Sequence, residues 1–174
     1  MRRSACFALA AFLVLGGLSG CATTDGTLSG DLLGPLEGGF LGDYSYRKEK
    51  GLEETRQIHS EPPATTDANV RIEAIRAVPD ILDPGDTIDI RIKYAVLTPQ
   101  EDMTVIVNET REILFEENRV GEASANIERE GGTWRSSVPI TLPQNASPGI
   151  YRIVVSIRTP NGEKDVEEVT FRVR

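Results

Sequence analysis

A chain of 174 residues with 39% hydrophobic and 26% charged side chains has room for one ordinary globular domain plus extra segments. Its formal net charge of −8 repels phosphate backbones and anionic headgroups, so nucleic acid is excluded as an expected partner. One histidine and two cysteines leave too little material for triads or thiolate metal sites, so no cofactor or metal centre is expected.

The chain opens on Met1-Arg2-Arg3, continues through an apolar run from Cys6 to Leu15, and then turns small at Gly16, Gly17, Ser19 and Gly20. Positive, apolar and small, in that order, is the pattern of a secretory signal peptide, and the apolar run is too short for a transmembrane helix. Leu18-Ser19-Gly20-Cys21 resembles the lipobox of bacterial lipoproteins, with Leu three residues before the cysteine and small residues between. The resemblance implies removal of residues 1–20, a diacylglycerol thioether on Cys21 and a membrane tether. Each acyl methylene buried in the bilayer contributes ~0.8 kcal/mol. Ala22, where Asp would be expected for inner-membrane retention, resembles lipoproteins sorted to the periplasmic face of the outer membrane. Loss of Cys6 and acylation of Cys21 leave no thiol for a disulfide or redox chemistry.

Gly26, Gly30, Gly34, Gly38 and Gly42 then recur at every fourth residue. On an α-helix that interval aligns them along one side, where another helix approaches closely. The segment resembles the glycine-zipper lipoproteins, which implies helix–helix association near the membrane, including self-association. It departs from them in its length of roughly 25 Å at ~1.5 Å per residue, in Asp31 and Glu37, and in Pro35. A flexible glycine-rich spacer is the competing reading, because glycine costs ~1 kcal/mol per helical position. With Pro35 in a first helical turn, one helix can run from Leu36 to about His59. Asp43 to Ser60 is rich in helix formers, with Asp43–Arg47 and Lys50–Glu54 at i,i+4 spacing. His59 is then a C-terminal cap, and Ser60 to Ala68 is a linker stiffened by Pro62 and Pro63.

From Asn69 the period changes to two. Val70, Ile72 and Ala74 begin it; Ile88, Ile90, Ile92, Tyr94 and Val96 follow; Met103, Val105 and Val107 lead to Ile113 and Phe115 after a polar stretch. Trp134, Ser136, Val138, Ile140 and Leu142 form a further set, then Tyr151 to Ile157, then Val169, Phe171 and Val173. Turn residues separate the sets at Asp83-Pro84-Gly85-Asp86, Gly131-Gly132, Pro148-Gly149 and Pro160-Asn161-Gly162. About seven such strands predict an all-β, immunoglobulin-like antiparallel sandwich. Tyr151, after Pro148-Gly149, resembles the tyrosine corner of these sandwiches, and Trp134 reads as a core aromatic. The expected divisions are 1–20, a signal peptide; 21–42, the lipidated cysteine and glycine segment; 43–68, a polar helix and linker; and 69–174, the sandwich.

No nucleophile–base pair, phosphate loop or dinucleotide fingerprint is present. Asp80, Asp83, Asp86, Glu101 and Asp102 fall in loops that the sandwich can bring to one end, where turn formation is the expected role and Ca²⁺ binding the alternative. The order of lipobox, glycine repeat, charged helix and sandwich resembles glycine-zipper-containing lipoproteins of unassigned role. It implies a non-enzymatic, membrane-anchored protein with a structural or protein-interaction role. The alternative is an accessory or chaperone-like subunit that takes client proteins at a sheet edge.

Overall fold

Period-two hydrophobicity becomes two packed sheets in the computed structural model, which describes residues 28–59 and 67–174. The strands are β1 Ser29–Leu32, β2 Phe40–Leu41, β3 Ser45–Gly51, β4 Asn69–Val78, β5 Ile81–Leu82, β6 Thr87–Leu97, β7 Thr104–Phe115, β8 Asn118–Glu130, β9 Gly132–Thr141, β10 Gly149–Arg158 and β11 Lys164–Val173. A single α-helix, α1 Leu52–His59, and a 3-10 turn at Gly34–Leu36 join them among the described residues. One sheet (sheet A) runs β1-β8-β7-β10-β11-β5, and the other (sheet B) runs β2-β9-β6-β4, with β3 also on β9. Pairing is antiparallel except for the short β11–β5 contact. The fold is therefore an all-β sandwich. Among the described residues, no helix is long and apolar enough to cross a membrane.

The inward faces close the core. Ile88, Ile90, Ile92, Tyr94 and Val96 of β6 and Val138 and Ile140 of β9 meet Val107 and Ile113 of β7 and the run Tyr151, Ile153, Val155 and Ile157 of β10. Fully burying an aliphatic or aromatic side chain of this size contributes ~1.5–3 kcal/mol, so these positions carry the sandwich. Tyr151 stacks on Phe171 at 5.0 Å between ring centroids, and its hydroxyl donates to the Ser147 carbonyl at 2.9 Å. In β4 the phase reverses at a bulge between Ile72 and Ala74, so Ala74 faces out and Ile75 and Ala77 face in.

The upstream region differs most from expectation. Gly30, Gly34, Gly38 and Gly42 do not share a helix face. Gly30 lies in β1, opposite Ala123, where an added Cβ would collide with the Glu122 carbonyl. Gly34 and Gly38 have φ of +53° and +86° and shape the tight path from β1 to β2. A Cβ on Gly42 would stand 2.7 Å from Pro139 Cγ. The fourfold interval therefore coincides with two close approaches and two left-handed turns, not with a packing stripe. Gly26 and Cys21 lie outside the described residues, as does the signal segment.

The polar helix is also shorter than expected. Ser45–Gly51 pairs with β9, and only Leu52–His59 is helical. Pairing with a strand 81 to 92 positions away outweighs the favourable helix propensity of Arg, Lys and Glu, which spans only ~0.7 kcal/mol per residue among ordinary side chains. Arg47 pairs with Glu49 instead of Asp43, while Lys50–Glu54 does form, at 3.3 Å. Leu36 is fully buried, and α1 buries Leu52 and Thr55 against the sandwich. The boundary expected at residue 69 is thus absent: residues 28–59 strap the edge where β8 and β9 lie, joining one sheet to the other.

The acidic loops do not converge. Asp83 and Asp86 precede β6 and Glu101 and Asp102 follow it, so a strand of 11 residues, about 36 Å at ~3.3 Å each, separates them. Asp86 caps its own turn, its carboxylate accepting from the Asp83 amide at 2.8 Å. Glu116 and Glu117, both at positive φ, form the β7–β8 turn.

Candidate functional site

The outward side chains of sheet B are set by the same alternation that fills the core. Arg91 and Lys93 of β6, Arg76 of β4, Arg135 of β9 and Arg47 of β3 all emerge on the solvent face. Register places Arg76 directly opposite Arg91, Lys93 opposite Arg135, and Arg135 opposite Arg47. Directly opposed like charges destabilise an isolated sheet. Acids offset part of this: Asp89 lies 2.7 Å from Arg91, Glu49 2.8 Å from Arg135, and Glu73 2.8 Å from Lys93. Five cations against three carboxylates still leave the face positive on a chain whose net charge is −8. Arg76 makes no ion pair among the described residues. Arg76, Arg91, Lys93 and Arg135, with Ala74 and Ile92, line an open groove of about 390 Å³.

Helix α1 packs on β6 and β9 of the same sheet. Its Thr55 hydroxyl meets that of Thr133 at 3.0 Å, and Arg56 donates to the Thr98 and Pro99 carbonyls at 2.6 and 2.9 Å. Glu73 links the helix to the groove-lining Lys93, with His59 Nε2 at 3.0 Å, Thr133 donating at 3.2 Å and Lys93 at 2.8 Å. Burial pushes the Glu73 carboxyl up, but hydrogen bonds from Lys93 and His59 outweigh that and hold it below the ordinary range.

A second polar feature lies inside the sandwich. Glu109 and Arg111 of β7 and Arg129 of β8 point inward and are completely or almost completely buried. Glu109 accepts from Tyr44 at 2.6 Å, from Ser136 at 2.6 Å, from Arg111 at 3.2 Å and from Tyr94. Arg129 donates to Tyr94 at 2.9 Å and to Tyr44 at 3.0 Å, and its guanidinium lies against the Tyr46 and Trp134 rings at 4.2 and 4.5 Å. Burial raises Glu109, yet Arg111 and the hydroxyl donors outweigh it and lower its pKa. Burial, and then the neighbouring Glu109 charge, push the Tyr44 and Tyr94 phenols well above their usual value. Glu109 is therefore ionised and both tyrosines protonated near neutrality, each already committed to a partner. Nε and Nη1 of Arg111 are buried without a hydrogen-bond partner among the described residues. The centre ties both sheets to the strap through Tyr44, which precedes β3.

Trp134 is half-buried, not enclosed in the core; its Nε1 donates to the Glu130 carbonyl at 3.0 Å and its ring covers Arg129. Sequence reading missed the buried charges, although Glu109 and Arg111 stand in phase with Val107 and Ile113. It also missed β8, whose inward positions Ala123, Ala125, Ile127 and Arg129 are mostly too small to mark a strand. Net charge hid the cationic face, since a sum over the chain carries no information about sides.

No protein-family profile matches the chain, and no curated protein matches it. Among solved structures it is similar to the sporulation control protein Spo0M of Bacillus subtilis, at 11% identity and a TM-score of 0.39, over 62% of this chain and 49% of that one. A β-glucosidase of Erythrobacter marinus matches at 10% identity and a TM-score of 0.44, over 62% of this chain and 16% of its own. A family 123 glycoside hydrolase of Clostridium perfringens matches at 13% identity and a TM-score of 0.42, over 64% and 27%. The chain spans about half the length of the first and less of the others.

Proposed function

We propose that this chain is a lipid-tethered protein of the bacterial envelope, on the periplasmic face of the outer membrane, that acts by protein contact without catalysis. The tether rests on the lipobox resemblance at Leu18-Ser19-Gly20-Cys21. The contact role rests on one observation, the cationic groove on the outer face of sheet B of an acidic chain. Charge segregated to one face steers association with an oppositely charged surface. Client capture at a sheet edge has less support, because the edge strand β4 has its Ile72 amide already donated to Asp165 at 2.7 Å.

Two experiments test this reading. Cys21→Ser should leave unprocessed precursor without lipid mass, and normal mature protein from that variant would refute the tether. A photo-crosslinking residue at Arg91 should capture protein in intact cells more than one at the exposed Glu163 in the β10–β11 turn. Absence of adducts from Arg91 would refute contact through the groove.

A further inference from the structure

The outer face of sheet A carries the opposite pattern. Register sets Asp31 of β1 opposite Glu122 of β8, and Glu122 opposite Glu112 of β7, so three carboxylates stand side by side on three adjacent strands. Glu168 continues the row beyond Val154. Glu122 is paired with Arg119, and Glu168 with Arg152 at 3.2 Å, but Asp31 and Glu112 make no ion pair among the described residues. Ile106 and Val166 add exposed apolar surface to the same face. On sheet B the row Lys93, Arg135 and Arg47 also spans three adjacent strands. Strands lie ~4.8 Å apart in every sheet, so the two rows share one spacing with opposite sign. Each row places like charges directly opposite one another; Glu49 and Glu73, two carboxylates for three cations, offset part of that cost on the basic side, and the remainder is relieved when the rows meet.

We infer that the partner of the basic groove is a second copy of this chain, docking through the acidic row Asp31–Glu122–Glu112. This rests on the contact role proposed for the groove and names its occupant. The two patches differ, so the interface is heterologous: each docked pair keeps one unused face of each sign, and stacking continues unless rotation closes a ring. Gly30, Gly34, Gly38 and Gly42 supply no packing face to this interface; their segment contributes the carboxylate of Asp31.

Sedimentation velocity of the purified full chain in nonionic detergent tests this at ~0.02 M and ~0.5 M salt, either side of the ionic strength where screening reaches ~10 Å. Wild type should associate at low salt and separate at high salt. A basic-face variant, Arg47→Glu with Arg135→Gln, and an acidic-face variant, Asp31→Lys with Glu112→Lys, should each need at least about tenfold more protein to associate. Mixed one to one, they should form dimers and nothing larger, because each mixed pair retains one intact acidic row and one intact basic row. Both variants are surface changes, and unaltered melting curves confirm their folds. A monomeric wild type at low salt, or a mixture that stays monomeric, overturns the inference. In cells, loss of Arg91 adducts in the basic-face variant but not the acidic-face variant would mean another acidic protein fills the groove, which overturns the second copy and keeps the contact role. Adducts unchanged in both would overturn the contact role itself.

Discussion

Glu109 and Arg111 sit two residues apart on one strand, equally buried, and should respond oppositely to neutral replacement. Glu109→Gln removes the one carboxylate that balances Arg111 and Arg129 and turns an amide nitrogen toward groups that themselves donate. Removing one partner of a buried ion pair costs about 3–5 kcal/mol. Arg111→Met loses bonds from Nη2 to Glu109 and to Ser136, at 3.2 and 2.8 Å. It also removes two N–H groups that have no partner among the described residues, each costing ~1–3 kcal/mol while buried. Glu109 keeps Tyr44, Tyr94, Ser136 and Arg129. The losses and gains nearly cancel, and the expected change is within about 1 kcal/mol, so the two variants should differ by about 3 kcal/mol. Urea unfolding followed by tryptophan fluorescence reads this as a midpoint difference of roughly 1–2 M, taking a slope of ~2 kcal/mol/M. A loss at Arg111→Met equal to that at Glu109→Gln would refute the reasoning, because it would mean that Nε and Nη1 are satisfied in solution.

Stability should have an acid and an alkaline limb. Glu109 and Glu73 have lowered pKa values, so their contribution is complete above the unfolded value of ~4.3 and lost as pH falls below it; Glu109→Gln should flatten that limb of a urea-midpoint profile. Tyr44 and Tyr94 are raised, so their contribution is complete below ~10 and lost as pH rises further; Tyr44→Phe with Tyr94→Phe should flatten that limb, leaving the smaller part due to Tyr151. The fragment Asn69–Arg174 should melt broadly and without cooperativity, because it lacks the strap and helix that close the β8–β9 edge; a sharp calorimetric transition would show the strap to be dispensable. Gly30→Ala should destabilise by ~2 kcal/mol or more, since its Cβ meets the Glu122 carbonyl, whereas Gly51→Ala, with nothing within 4 Å, should change stability by less than ~1 kcal/mol. Equal effects in thermal melts would contradict the pairing of β1 with β8.

Much of the sandwich was legible from residues 87 to 173. Thr87 to Val96 alternates without interruption and becomes β6, and Tyr151 to Ile157 becomes the inner face of β10. Strands of this kind announce themselves because one face needs apolar side chains and the other does not. β3 and β8 gave no such signal: β3 carries four consecutive charged residues, Arg47 to Lys50, and the inner face of β8 holds two alanines and an arginine beside Ile127. The glycine interval was legible but its meaning was not, since close approach to a distant strand and close approach between helices demand the same missing Cβ. The sequence by itself determined the periods, the turns and the outward placement of Arg91 and Lys93, all properties of neighbouring residues. Only the tertiary structure decided that Glu109 and Arg111 are interior and that the cations gather on one face. Those outcomes depend on partners 15 to 85 positions away, such as Tyr94 for Glu109 and Tyr44 for Arg129, and on which strands lie side by side.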